Sequence, residues 1–129
     1  MKTLYLFGDS NTYGYDPTDF FGARYKEEDI WTFRLREALK ESWIIIADGQ
    51  NGREIPSTSY EEAALFRRME KHQPIDLFAV MLGTNDYLNM MKPDVHQVGE
   101  KMKRFLVDLT EVISSDRILV MSPPPIRIP

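Results

Sequence analysis

The chain has 129 residues, a net charge of −4 and no cysteine, which leaves room for one compact domain, residues 1–129, at roughly 150 residues per domain. Without cysteine there are no thiol nucleophiles, cysteine-bound metals or disulfide scaffolds, and two histidines do not make a His-rich metal site. An acidic balance, with a pI near 5.2 and no basic tract denser than Lys101-Met102-Lys103-Arg104, argues against nucleic acid as a partner, and no apolar run approaches the roughly 18 residues that a membrane span needs.

From the start, Met1-Lys2-Thr3-Leu4 runs straight into an apolar segment with no signal-peptide cleavage pattern, so a cytoplasmic protein is expected. The first strand is predicted over residues 3–7, TLYLF. A helix is predicted over 30–40, where Trp31, Leu35, Ala38 and Leu39 fall at helical spacing and Asp29 is available as N-cap. A second strand follows over 43–47, WIIIA. The next helix opens with Ser59-Tyr60-Glu61-Glu62, read as a capping box, and runs to about Lys71. Residues 77–82, LFAVML, form the third strand. After Pro93-Asp94, the positions Val95, Val98, Met102, Phe105, Leu106, Leu109, Val112 and Ile113 trace one apolar stripe of a third helix. Its basic residues at 101, 103 and 104 read as the solvated face. A fourth strand is expected over 118–121, and the chain closes on the proline-rich segment 122–129.

Short apolar strands alternating with amphipathic helices predict an α/β fold: a doubly wound parallel sheet with right-handed crossovers, four strands and three main helices. In such sheets a ligand sits outside the carboxyl ends of the strands. The first such end carries Gly8-Asp9-Ser10-Asn11-Thr12-Tyr13-Gly14, where Ser10 is placed either as an exposed nucleophile or as part of an ordinary polar turn. The second carries Asp48-Gly49-Gln50-Asn51-Gly52-Arg53, whose Asn51-Gly52 is a turn dipeptide. The third carries Gly83-Thr84-Asn85-Asp86, where the Asn85 amide could donate to an oxyanion or close an Asx turn.

Taken together, GDSNTYGYDP, NGR and LGTND resemble blocks I, II and III of the SGNH (GDSL-type) hydrolases. Arg24-Tyr25 ahead of Trp31, HQPIDLFAVMLGTND and the closing MSPPPI are similar to the arylesterase or acyltransferase branch of that superfamily. The resemblance implies a three-layer, flavodoxin-like fold with strand order 2-1-3-4-5 and a serine esterase that needs neither cofactor nor metal. It makes Ser10 the nucleophile, attacking a small-molecule ester to give an acyl-enzyme. The backbone N–H groups of Ser10 and Gly52 and the side chain of Asn85 become the oxyanion hole. Asp9 and Thr84 order the loops, and Tyr13, Tyr15 and Tyr87 either line an acyl pocket or pack as plain aromatics.

The family's last block, an Asp-x-x-His that supplies the base and its orienting carboxylate, has no match in the 129 residues. His72 is expected at the amino-terminal edge of the sheet, out of reach of Ser10, and His96 at a helix start with no orienting carboxylate beside it. The chain is therefore expected to be C-terminally incomplete: a crippled esterase scaffold, or alternatively a catalytically silent binding or assembly domain. Loss of the last strand would leave the fourth as an open edge, with apolar residues of strands three and four meeting solvent and a homo-oligomer as one outcome. A flavodoxin-like mononucleotide binder is a third reading, though no Gly-rich dinucleotide fingerprint is present.

Overall fold

The computed structural model describes residues 1–19 and 23–125; the final four residues of the proline-rich end, 126–129, lie outside them. The described elements, in chain order, begin with β1 (Lys2–Gly8), α1 (Ser10–Tyr13), α2 (Trp31–Leu39) and β2 (Trp43–Gly49). They continue with α3 (Ser59–Glu70), β3 (Leu77–Met81), α4 (Thr84–Leu88), α5 (Val95–Leu109) and β4 (Ile118–Val120). All strands are parallel, in the order β2-β1-β3-β4, which is the doubly wound α/β sheet expected. Besides the three main helices, two single-turn helices, α1 and α4, begin at the strand ends where only loops were expected.

Alternation along the central strands divides the core. Tyr5 and Phe7 of β1 and Phe78 and Val80 of β3 face α3 and α5, packing with Leu65, Met69, Phe105 and Leu109. Leu4, Leu6 and Ala79 face the other way, onto Trp31, Leu35 and Leu39 of α2. Both faces of β1 and β3 are thus covered, which is why these strands are apolar without interruption. On the α3/α5 face Phe78 and Val80 of β3 are wholly buried, whereas on the α2 face, where the missing closing helix is expected to leave strand three open, Ala79 is buried and Leu77 and Met81 are only half-buried. Strand four does meet solvent, with Leu119 and Val120 each 48% exposed.

Local signals shifted by a residue at two helix starts. The N-cap of α3 is Thr58 rather than Ser59. Its Oγ1 accepts from the Glu61 N–H at 3.1 Å and donates to Glu61 Oε1 at 2.9 Å. The capping box is therefore Thr58-x-x-Glu61, the only frame in which the side chain precedes the first helical residue. Asp29 does not cap α2; it ends a short 3₁₀ turn over Glu27–Asp29, and Ile30 holds the cap position. At α5, Asp94 caps through the His96 N–H at 2.9 Å. That helix stops at Leu109, earlier than the apolar stripe suggests, because Ile113 reaches the core from the following turn, with its N–H on the Leu109 carbonyl at 3.1 Å.

Candidate active site

Strand register sets the level of the site. Gly8 is paired with Gly49 on one side and Met81 on the other, so the segments beginning at Asp9, Gln50 and Leu82 leave the sheet side by side. Asp48 and Gly49 belong to β2 rather than to the loop, and this places Gln50 to Arg53 directly beside the Ser10 turn.

In that turn, buried Asp9 caps α1 by accepting from the Asn11 N–H at 3.0 Å. Ser10 becomes the first residue of the helix, where its own N–H has no intrahelical acceptor. The turn ends at Gly14, whose left-handed φ of 90° lets the Gly14 and Tyr15 N–H groups both return to the Ser10 carbonyl at 2.8 and 3.0 Å. Gly49 meets a separate demand. A Cβ there would sit inside contact distance of the Thr12 and Tyr13 backbone, so the absence of a side chain allows β2 to approach α1. Ser10 opens onto a cavity of about 560 Å³ walled by Tyr15, Tyr25, Trp31, Met81 and Met121. The Trp31 indole N–H is fixed on the Asn11 carbonyl at 3.0 Å.

Tyr15 thus lines the cavity onto which Ser10 opens. Tyr13 does not line this cavity, because its ring is covered by the Arg24 guanidinium 4.8 Å from the centroid. Tyr87 lines a second cavity of about 550 Å³, between α4, α5 and the proline segment, with Leu82, Val98 and Met102. Met121 and Pro124 border both cavities.

Arg53, seen from the sequence only as the end of a turn, is the brace of the second loop. Its Nη1 donates to the Gly8 carbonyl at 3.0 Å and the Asp48 carbonyl at 2.8 Å, and Nη2 donates to Gln50 Oε1 at 3.1 Å. The guanidinium lies 4.6 Å from the centroid of the Phe7 ring. It pairs with Asp48 at 3.1 Å, both side chains being almost buried, and Asp48 also receives Arg68 Nε at 2.9 Å and the Tyr5 hydroxyl. Burial works against the Asp48 carboxylate, but the Tyr5 hydrogen bond, the Arg53 charge and Arg68 outweigh it and hold its pKa below the usual range. Gly52 precedes this brace on the exposed turn, with φ +76° and open space where a Cβ would stand.

The third loop is tied to the second at consecutive residues. Asn85 Nδ2 donates to the Arg53 carbonyl at 3.1 Å, and buried Asp86 accepts from the Ile55 N–H at 3.1 and 3.2 Å. Lys101 of α5 reaches both sides of this junction, at 2.6 Å to Asp86 Oδ2 and 3.0 Å to Glu54 Oε1. The expectation that Lys101 belongs to the solvated face of its helix is therefore wrong. Its side chain is 25% exposed and Asp86 only 1%, because the buried carboxylate draws the ammonium inward. Burial disfavours the ammonium, yet Asp86 and Glu54 outweigh it and raise the Lys101 pKa, while Asn89 and Lys101 hold that of Glu54 down. Lys103 and Arg104 do face solvent.

Neither histidine takes part in this junction. His72 follows α3 and packs its ring against Tyr5, at 6.1 Å between centroids, ahead of β3. His96 is exposed at the start of α5, and Asp94 is engaged by its backbone N–H rather than by its imidazole. Among the described residues no group of three or more His, Cys, Asp or Glu side chains could hold a metal ion. Among the described residues no helix is long and apolar enough to cross a membrane.

Comparison with known proteins bears on this arrangement. Residues 6–129 match the model of the GDSL-like lipase/acylhydrolase family. Among solved structures, a carbohydrate acetylesterase family member from Sinorhizobium meliloti is 30% identical with a TM-score of 0.80, over 98% of this chain and 65% of that one. The inhibitor-bound aryl esterase of M. smegmatis is 25% identical with a TM-score of 0.78, over 97% of this chain and 65% of that one. The chain thus spans about 65% of the length of these two structures. No curated protein matched.

Proposed function

The chain belongs to the GDSL-like lipase/acylhydrolase family, and from that membership we propose a serine ester hydrolase scaffold that works through an acyl-enzyme on Ser10. The supporting observation is the placement of Ser10 at the head of α1, on the cavity walled by Tyr15, Tyr25 and Trp31, with Gly52 and Asn85 on adjoining loops tied together at the Arg53 carbonyl. In the proposed reaction, Ser10 Oγ attacks the carbonyl carbon of a small ester and its proton passes to a base. The C–O bond to the alcohol breaks, the alcohol leaves with that proton, and water later cleaves the acyl-serine. The Ser10 and Gly52 N–H groups and the Asn85 amide hydrogen not used on Arg53 receive the developing oxyanion. No cofactor enters this chemistry.

The weak member is the base. Losing the histidine of a serine hydrolase costs on the order of 10⁶ in kcat, leaving about 10³–10⁴ over water from the oxyanion hole and binding. In this 129-residue form we therefore expect a crippled hydrolase. The positions of His72 and His96 also favour a second reading, a catalytically silent binding or assembly domain built on the same pocket. A cytoplasmic setting belongs to the proposal. So does self-association along β4, whose Leu119 and Val120 are half exposed on the last strand of the sheet; light scattering on the purified chain tests it.

Treatment with a fluorophosphonate, read by intact mass and peptide mapping, tests the reaction. Slow formation of a single adduct on Ser10, abolished by Ser10→Ala, supports the hydrolase. No adduct, with binding of an acetylated ligand retained, supports the silent domain.

A further inference from the structure

We propose that Lys101 is a positioning residue of the Ser10 site, acting through Asp86 and Glu54 to fix the Gly52 loop against Asn85. The inference rests on the hydrolase reading and adds to it a residue that lies on a different element from every candidate donor. Three successive residues of the second loop are held from one side: the Arg53 carbonyl by Asn85, the Glu54 carboxylate by Lys101, and the Ile55 N–H by Asp86. Lys101 of α5 touches both the loop and the α4 turn, at 3.0 and 2.6 Å, beside the direct bond from Asn89 at the end of α4 to Glu54 Oε2 at 3.1 Å. The ammonium is the cross-link between Glu54 and Asp86, two carboxylates that would otherwise repel across the same junction.

Gly52 has no side chain, and nothing lies within 4 Å of where a Cβ would be. Its N–H is therefore aimed by the backbone on its two sides: by Gln50, whose N–H donates to the Gly8 carbonyl at 3.3 Å, and by what holds residues 53–55. Removing the Lys101 charge should let that loop move relative to Asn85 while the sheet, fixed by its own ladders, stays in place. Losing one oxyanion donor outright costs about 10²–10³ in rate, so misaiming one should cost roughly tenfold or more.

The test compares the 129-residue chain with Lys101→Met and Lys101→Arg. Amide NMR is read first, because it does not depend on Ser10 chemistry. Lys101→Met is expected to shift the Gly52 and Ile55 N–H signals and the Asn85 side-chain NH₂ together, and to leave β2 signals such as Ile45 unchanged. Phosphonylation by a fluorophosphonate is read second, as the Ser10 Oγ–P bond forms, fluoride leaves and the hydroxyl proton passes to buffer. The maximal phosphonylation rate should fall about tenfold or more in Lys101→Met with little change in half-saturating reagent, and Lys101→Arg should restore most of it. Unmoved Gly52 and Asn85 signals would overturn the proposal, and so would moved signals with an unchanged rate. If the parent chain forms no adduct, the hydrolase reading fails and Lys101 has no reaction to position; moved or unmoved NMR signals then distinguish loss of that reading from loss of the loop coupling itself.

Discussion

Asp48→Ala is expected to be strongly destabilising, because the truncation leaves three donors of one nearly buried cluster without their acceptor. Asp48 and Arg53 are 13% and 11% exposed and 3.1 Å apart, and the same carboxylate receives Arg68 and the Tyr5 hydroxyl. Removing one partner of a buried pair costs about 3–5 kcal/mol, because the other charge remains buried without compensation. Arg53 would still donate to the Gly8 and Asp48 carbonyls, which places the expected loss near the lower bound, about 3 kcal/mol. At about 4 °C per kcal/mol for a domain of this size, Tm should fall by roughly 12 °C.

The pH dependence follows from the direction of the shift. The folded-state pKa of Asp48 lies below its ordinary value, so its contribution is complete above the unfolded pKa of about 3.9 and disappears as pH falls through the folded value. Urea melts at pH 7 and pH 5 should therefore show the same gap between parent and variant, and that gap should close below about pH 4. Asp48→Asn, which keeps an acceptor for Tyr5, should lose less than Asp48→Ala. A variant melting within about 2 °C of the parent at pH 7, on the same scale, or a gap undiminished at pH 2.5, would refute this account of the pair.

Gly49→Ala should displace the Ser10 turn, because the new Cβ meets the Thr12 and Tyr13 backbone rather than a movable side-chain end. A loss of about 1–3 kcal/mol by calorimetry is expected, with slower Ser10 phosphonylation; an unaltered adduct rate would count against the close approach. Glu62 of α3 is pushed up to about 7 by burial, by hydrogen bonding to Asp108 and by the charges of Asp108, Glu111 and Glu61. A carboxyl with a raised folded pKa contributes least when ionised, so the Glu62 contribution should be complete below the unfolded value near 4.3 and should decline as pH rises through 7. Glu62→Gln should flatten that decline in a Tm series from pH 5 to 8, and a decline that persists in the variant would assign it to another group.

The fold was legible because its signals are local. Residues 3–7 and 77–82 read as buried strands since both faces of a central parallel strand must be apolar, and the structure covers them on both faces. The stripe from Val95 to Ile113 read as a helix since one face recurs every 3.6 residues, and the structure forms that helix over Val95–Leu109. The one-residue errors at Thr58 and Ile30 have the same origin, as Thr58-Ser59 offers two adjacent caps and Asp29-Ile30 looks like one.

The candidate site was legible in part. Ser10, Gly52 and Asn85 stand in short motifs, and a resemblance in sequence singled them out as candidates. The groups that bind those loops to one another were not visible. Lys101 lies in a Lys-Met-Lys-Arg run that looks the same whether or not a buried carboxylate waits opposite, and Asp86, 15 residues away, gives no local sign of being that carboxylate. Arg53 and Asp48 sit within one apparent turn, but only the pairing of Gly8 with Gly49 brings the guanidinium onto the Gly8 carbonyl. Hydrophobic period and turn chemistry act over a few residues, so the sequence by itself determined the element order, the doubly wound sheet and the motifs at its carboxyl edge. Which charges are buried together, and which loop is held against which, depends on strand register and helix placement across the whole chain, and those were decided only in the tertiary structure.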